Sequence, residues 1–235
     1  MIVAAFSDAH AHAAALDAVL AAAGAHGVDE LWSLGDMVGR GPDPAHVVAR
    51  TRECCHVALL GNHDYDALRS TEPVRFARSF ALAREQLDED AVGWMRSRRP
   101  AATRAGVQCW HASPRNPVHE YVGAANAAAC LEKQRGPLGL VGHTHVPAAW
   151  HEHTRRVRLR PGEPLDISQG KWLLNPGAVG APASSRAGWW PGLDAQAAAL
   201  WLLLDLDAQT ATWLSAPFDP APTHARVREL GLDDG

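Results

Sequence analysis

A chain of 235 residues is long enough for one sizeable core and short for several large domains, so a single domain over residues 1–235 is expected. Its 47% hydrophobic content is ordinary for a soluble globular protein, and 26 acidic against 22 basic side chains give a formal charge of −4. That balance lacks the basic footprint of a duplex nucleic-acid binder. No apolar run approaches the roughly 20 residues that span a bilayer. The start, "MIVAAFSDAH", lacks the basic segment and long apolar core of a signal peptide. A cytoplasmic protein with no membrane partner is the expectation, and a homo-oligomer is left open. Four cysteines, two of them adjacent (Cys54 and Cys55), form neither a disulfide framework nor a CxxC zinc pattern.

In chain order, "IVAAF" (2–6) reads as a strand. An alanine-rich helix follows to about Ala23, with Gly24 as its stop. "LWSL" (31–34) is a second strand, ending in "GDMVGRGPDP". A helix is expected after Asp43, with Asp43 as N-cap and Pro44 at its first position. "HVALL" (56–60) is the third strand, residues 74–99 read as helical, and "VQCW" (107–110) is a strand ending in "HASPRNP". Residues 124–135 read as helix, and "LGLV" (138–141) as a strand ending in "GHTH". Strands alternating with helices imply parallel βαβ units. After Pro147 the pattern changes to strands: "AAWHEH", "RRVRLR", "KWLLN", "ALWLLLDLD" and "TATWLS", the last two joined as a hairpin with Asp207 to Thr210 as its turn. The expected fold is α/β: two mixed β-sheets packed as a sandwich flanked by helices.

Every strand of the first part ends in potential ligands. The first delivers Asp8 and His10, the second Asp36, and the third Asn62 and His63; later strands deliver His111, then His143 and His145. In open α/β sheets sites form at the carboxyl ends of strands, so these residues are expected to converge at one edge of one sheet. Asp8/His10 and His143/His145 are i, i+2 pairs, which in extended backbone face the same side. Each motif alone fits a simple strand-end turn. Together they point to a dinuclear metal site, and mixed nitrogen and oxygen ligands without thiolate suit Mn²⁺, Fe or Zn²⁺.

"SDAH", "LGDMVGRGP", "LGNHD", "WHASP" and "GHTH" stand in the order seen in the calcineurin-like metallophosphoesterase superfamily. The chain resembles that superfamily's small bacterial phosphoesterase branch over residues 1 to about 180, including "NPGAVGAP" (175–182). The resemblance implies two divalent ions, with Mn²⁺ expected from family habit. One ion would be held by Asp8, His10 and His145, the other by Asn62, His111 and His143, with Asp36 bridging. It implies hydrolysis of phosphate esters, a bridging hydroxide attacking phosphorus while His63 protonates or stabilises the leaving oxygen and Asp64 orients His63.

This sequence departs from its relatives at several positions. Ala11-His12 stands where they usually have Gly-Asn, making His12 a candidate substrate contact or an exposed helix histidine. Arg40 replaces a common tyrosine and resembles the arginine of serine/threonine phosphatases and diadenosine tetraphosphatases; it is a candidate phosphate ligand, against a solvated loop charge. Ala112 replaces a glycine. Trp189 and Trp190 are candidates for a substrate base or a dimer contact, and His151 and His153 for one face of an exposed strand. The leading reading is a phosphodiesterase or phosphatase acting on small or nucleotide substrates. The alternatives are a protein phosphatase-like enzyme or dinucleoside polyphosphate hydrolase using Arg40, and a non-catalytic metal-binding scaffold.

Overall fold

The computed structural model describes residues 1–69, 75–153, 156–180 and 197–232. Eleven strands and seven helices are assigned among these residues. One sheet contains β1 (Ile2–Phe6), β2 (Glu30–Ser33), β3 (Val57–Ala58), β8 (Leu165–Asp166), β10 (Ala198–Asp205) and β11 (Thr210–Pro217), in the order β3-β2-β1-β10-β11-β8. The other contains β4 (Ala101–Arg104), β5 (Val107–Trp110), β6 (Leu138–Leu140), β7 (Ala148–His151) and β9 (Trp172–Asn175), in the order β4-β5-β6-β9-β7. Both are mixed: β1–β2, β2–β3, β5–β6 and β6–β9 pair in parallel, and β1–β10, β10–β11, β4–β5 and β7–β9 pair antiparallel.

The two-residue side-chain alternation of a strand builds three layers of core. Val3 and Ala5 of β1, Trp32 of β2, Leu202 and Leu204 of β10 and Trp213 of β11 point between the sheets, against Cys109, Leu140, Trp172 and Leu174. The alternate residues Ala4, Phe6, Ala199 and Trp201 face Leu16 and Val19 of α1 (Ala13–Ala25). On the outer face of the second sheet, Trp110, Val141 and Leu173 pack on Cys130 and Leu131 of α6 (Ala127–Lys133). Fully burying one large apolar side chain stabilises the fold by about 1.5–3 kcal/mol. The inter-sheet layer is also hydrogen-bonded: buried Trp213 donates its indole N–H to the Asn175 carbonyl at 2.7 Å.

The expected sandwich is present, and the hairpin at 207–210 joins β10 to β11 with Asp205 opposite Thr210. Several details differ. The ligand-bearing strands divide between two sheets, so the site is formed at neighbouring edges of both rather than along one sheet. The first helix runs through Gly24 and ends one residue later at Ala25, with Gly27 at φ 64° as the left-handed residue just past its His26 cap. The segment read as one helix over 74–99 is two, α4 (Ala77–Gln86) and α5 (Glu89–Ser97); Asp88 caps the second by accepting from the Ala91 amide at 2.7 Å. α2 (Pro44–Cys54) starts as expected, but the Asp43 side chain makes no cap; it pairs with Arg226 of α7 (Ala221–Leu230) at 3.0 Å.

β4, β8 and α7 escaped the pattern. β4 is an alanine-bearing strand at the end of its sheet, formed by pairing with β5 across a turn at Ala105 and Gly106, both with positive φ. The exposed strand expected at His151 and His153 ends at His151. Trp189 and Trp190 lie outside the described residues.

Candidate metal centre

The loops after β1, β2, β5 and β6, together with the N-terminus of α3 (Asn62–Arg69), meet at one point between the sheet edges. Three overlapping groups of side chains form there among the described residues, each with ligand atoms within 4.8 Å of one another: Asp8, His10 and His145; His10, Asp36 and His63; and Asp36, His111 and His143. His145 Nε2 lies 3.5 Å from Asp8 Oδ1, and 2.9 Å from His10 Nε2. Two cis ligands at about 2.1 Å from one metal are separated by roughly 3 Å, so the imidazole pair fits a shared ion. In the group of Asp36, His111 and His143, His111 Nε2 lies 3.2 Å from Asn62 Oδ1, which puts Asn62 beside it as expected.

Asp36 connects the groups through one oxygen. Its Oδ2 stands 3.7 Å from His10 Nε2 and 3.6 Å from His111 Nε2, while Oδ1 accepts the His63 backbone amide at 2.9 Å. Oδ2 therefore faces both groups, while Oδ1 is held by the backbone of α3.

The imidazoles are oriented from behind. His10 donates Nδ1–H to the Val38 carbonyl at 3.2 Å, and His111 donates Nδ1–H to the Leu34 carbonyl at 2.9 Å, which turns both Nε2 atoms towards the centre. His143 is turned the other way, its Nε2 donating to the His119 carbonyl at 3.3 Å. The i, i+2 spacing does not act through extended backbone. Asp8, His10, Asp36, His143 and His145 all have φ between 46° and 64°, in the left-handed region. Each such residue carries a strain of about 1–3 kcal/mol, a cost typical of functional loops. Close backbone approach adds a further constraint: a Cβ on Gly61 would lie 2.0 Å from Asp36 Oδ1, and one on Gly142 would lie 1.9 Å from Ser7 Oγ.

Asp8, Asp36 and Asp64 are buried together, at 0%, 1% and 0% exposure. Burial pushes Asp36 well above the usual carboxylate range, and the neighbouring Asp8 and Asp64 charges push it further. Burial also pushes Asp8 up, but His145, His111 and Ser7 together outweigh this and carry it below that range. Burial, with neighbouring cationic groups, holds His10 well below its ordinary value and His143 down at about 4. The centre gathers carboxylate oxygen, amide oxygen and imidazole nitrogen with no thiolate, a donor set that suits divalent metals.

His63 borders the centre, with a ring nitrogen within 4.8 Å of ligand atoms of His10 and Asp36. Its ring packs edge-on against His10 at 4.6 Å and against Phe76 and Phe80, and its buried Nδ1 has no hydrogen-bond partner. Burial and the nearby Arg40 push it down to about 3. Asp64 does not orient this ring. Its Oδ1 accepts the Met37 and Val38 amides at 2.9 and 3.1 Å, and its Oδ2 accepts the Gly61 amide at 2.9 Å. It ties the Asp36 loop to the start of α3, and burial pushes it up to about 7 against those amides.

Arg40 is not a solvated loop charge. It is largely buried, its Nε has no partner, and its guanidinium lies 4.7 Å from the Phe76 ring centroid. Burial lowers its pKa, opposed by Asp36 and Asp8. His12 is half-buried rather than exposed, with both ring nitrogens enclosed and unpartnered; burial, then His224 and Arg40, push it down to about 4.

Two further residues belong to the site and were not singled out from sequence. Asn175 donates to the Gly142 carbonyl at 2.7 Å and to Thr144 Oγ1 at 3.1 Å, and accepts the Gly177 amide at 2.8 Å, so it holds the loop carrying His143 and His145. The sequence shows Asn175 only as the first residue of "NPGAVGAP" (175–182), quoted for the resemblance without a role for it. Tyr121 stacks on His143 with centroids 3.9 Å apart and planes at 20°; a lone tyrosine in a loop gives no sequence signal.

The family model for the calcineurin-like phosphoesterase superfamily domain matches residues 1–189. A metallophosphoesterase from Sphaerobacter thermophilus is 32% identical in its crystal structure, with a TM-score of 0.86 over 98% of this chain and 94% of that one. A hypothetical protein from Pyrococcus horikoshii shares the fold at 16% identity, with a TM-score of 0.76 over 98% of this chain and 94% of that one. An uncharacterized protein of Methanocaldococcus jannaschii is 28% identical over 191 residues, 77% of each chain.

Proposed function

The chain belongs to the calcineurin-like phosphoesterase superfamily, and from that premise we propose that it is a hydrolase of small phosphate esters working at a dinuclear metal centre. The observation that carries this reading is the shared Asp36: one carboxylate oxygen stands between two complete ligand groups, 3.7 Å from one and 3.6 Å from the other. Asp8, His10 and His145 would hold one ion and Asn62, His111 and His143 the other, and Asp36 would serve both. When bound, two divalent cations activate a water as nucleophile and neutralise phosphoryl oxygens. Mn²⁺ is the metal we expect, and Fe or Zn²⁺ suits the same donors.

The chain's own residues supply the rest. Arg40, with an unpartnered Nε beside the centre, clamps a phosphate oxygen by charge-assisted hydrogen bonds. His63 is held neutral by burial and by Arg40. A phosphate dianion beside it reverses that balance, so the imidazole stabilises charge on the leaving oxygen only when substrate is present. Phe76 and Phe80 shield His63 from water. Asp64 acts as a positioning residue through the backbone of the Asp36 loop.

Among phosphate esters, Arg40 favours a terminal phosphate, as in monoesters or nucleotide polyphosphates, over a diester with one charge fewer. The four cysteines are free in the structure, which supports a reducing, cytoplasmic location; no described helix is long and apolar enough to cross a membrane. The test is metal-stripped protein reconstituted separately with Mn²⁺, Zn²⁺, Mg²⁺ and Fe²⁺ and assayed on matched mono- and diesters. Metal-dependent release of phosphate or of a monoester is expected; no turnover with any metal refutes the proposal in favour of a scaffold.

A further inference from the structure

Tyr121 is the exposed large hydrophobic residue among those described, at 64% exposure, and it sits beside the centre. One face of its ring lies on His143, at a 20° interplanar angle. Large exposure with one face covered leaves the other face to solvent. The loop around it is not loose. Tyr121 gives its carbonyl to Asn126 Nδ2 at 2.9 Å, Glu120 accepts from Ser113 Oγ, His119 gives its carbonyl to His143, and Val122 is buried. Holding an aromatic ring rigidly in water gains the fold little, whereas a preorganised ring loses little entropy when a ligand stacks on it. Arg40 lies within electrostatic reach of Asp36, Asp8 and the Tyr121 phenol. An organic substituent that leaves the centre on the His143 side meets the open face of Tyr121.

We infer that Tyr121 is a specificity-determining residue that stacks on a planar aromatic substituent of the substrate, an aryl group or a nucleobase, through its solvent-facing side. The inference rests on the hydrolase reading and narrows its substrate class. Aromatic pairs gain beyond their buried area by an amount equivalent to about 2- to 12-fold in affinity.

The test uses benzylphosphonate and cyclohexylmethylphosphonate, which share a dianionic head and a bulky ring and resist hydrolysis at the C–P bond. Dissociation constants are measured by calorimetry on metal-reconstituted full-length protein, with inorganic phosphate as reference. The wild type should prefer the benzyl compound by about 2- to 12-fold. Tyr121→Phe should keep the preference. Tyr121→Leu should abolish it, read as the ratio of the two phosphonate dissociation constants at equal metal loading. Equal affinities in the wild type, or a preference surviving in Tyr121→Leu, overturn the inference. So does a Leu variant that loses phosphate and both phosphonates alike, because Tyr121 would then only support His143. Failure of the wild type to bind even phosphate refutes the hydrolase reading itself, and this inference with it.

Discussion

Replacing Asp36 by Asn is expected to move metal affinity and metal-free stability in opposite directions. The substitution keeps shape: the amide oxygen retains the His63 amide bond at 2.9 Å, and the new NH₂ faces the Nε2 atoms of His10 and His111 at 3.7 and 3.6 Å. It removes one of three carboxylates buried together. Burial and the Asp8 charge raise the folded pKa of Asp36 above its unfolded value near 3.9. The folded metal-free state therefore binds the extra proton, and its stability falls as pH rises through the interval between the two values. Each pH unit in that interval costs about 1.4 kcal/mol, or roughly 3–6 °C of Tm for a chain of this size. Asp36→Asn lacks this penalty. Calorimetry of chelator-stripped proteins between about pH 4.5 and 7 should show the variant overtaking the wild type as pH rises. With metal added at about 100 times Kd, the wild type should gain about 2.7 kcal/mol and the variant much less. Elemental analysis should show the variant holding fewer ions. A metal-free variant less stable than wild type at neutral pH refutes the electrostatic argument, and an unchanged metal content refutes the bridge.

Removing the imidazole in His63→Ala should leave bound metal intact and lower kcat by ~10²–10⁴; the loss should shrink for nitrophenyl esters, which need little help in leaving, and an equal loss on poor leaving groups argues against the assignment. Arg40→Tyr should reduce kcat/KM on monoesters more than on diesters, by about 1–3 kcal/mol; an unchanged ratio at one metal loading removes Arg40 from substrate recognition. Asn175→Ala deletes hydrogen bonds to the His143 loop and should cost about 2–4 kcal/mol, read as a Tm fall of roughly 4–16 °C with weakened metal binding; full metal affinity at lowered Tm confines its role to folding.

The local chemistry was legible in the residues themselves. Continuous apolar runs in β1, β9 and β10 call for burial on both faces, so layers on either side of the sheet follow from neighbours such as Val3/Ala4 and Leu202/Leu203. Ligand types at strand ends predict a polar centre for the same reason, since a chain has no packing use for His143, His145 and Asp36 in an apolar interior. What the sequence could not carry was direction. Spacing suggested Asp8 and His10 on one face of an extended strand, whereas positive φ at both turns them inward, and φ at those positions depends on loops closed by distant partners such as the Met37 and Gly35 carbonyls. Asp64 looked like the orienting partner of the adjacent His63, yet its oxygens find three backbone amides, two of them more than 25 residues away. Asn175 and Tyr121 gained their relation to the centre only when β9 and the loop before α6 were brought beside β6. Composition and periodicity decide which side chains must be buried and what chemistry they carry; long-range closure of the chain decides which atom of each faces which neighbour.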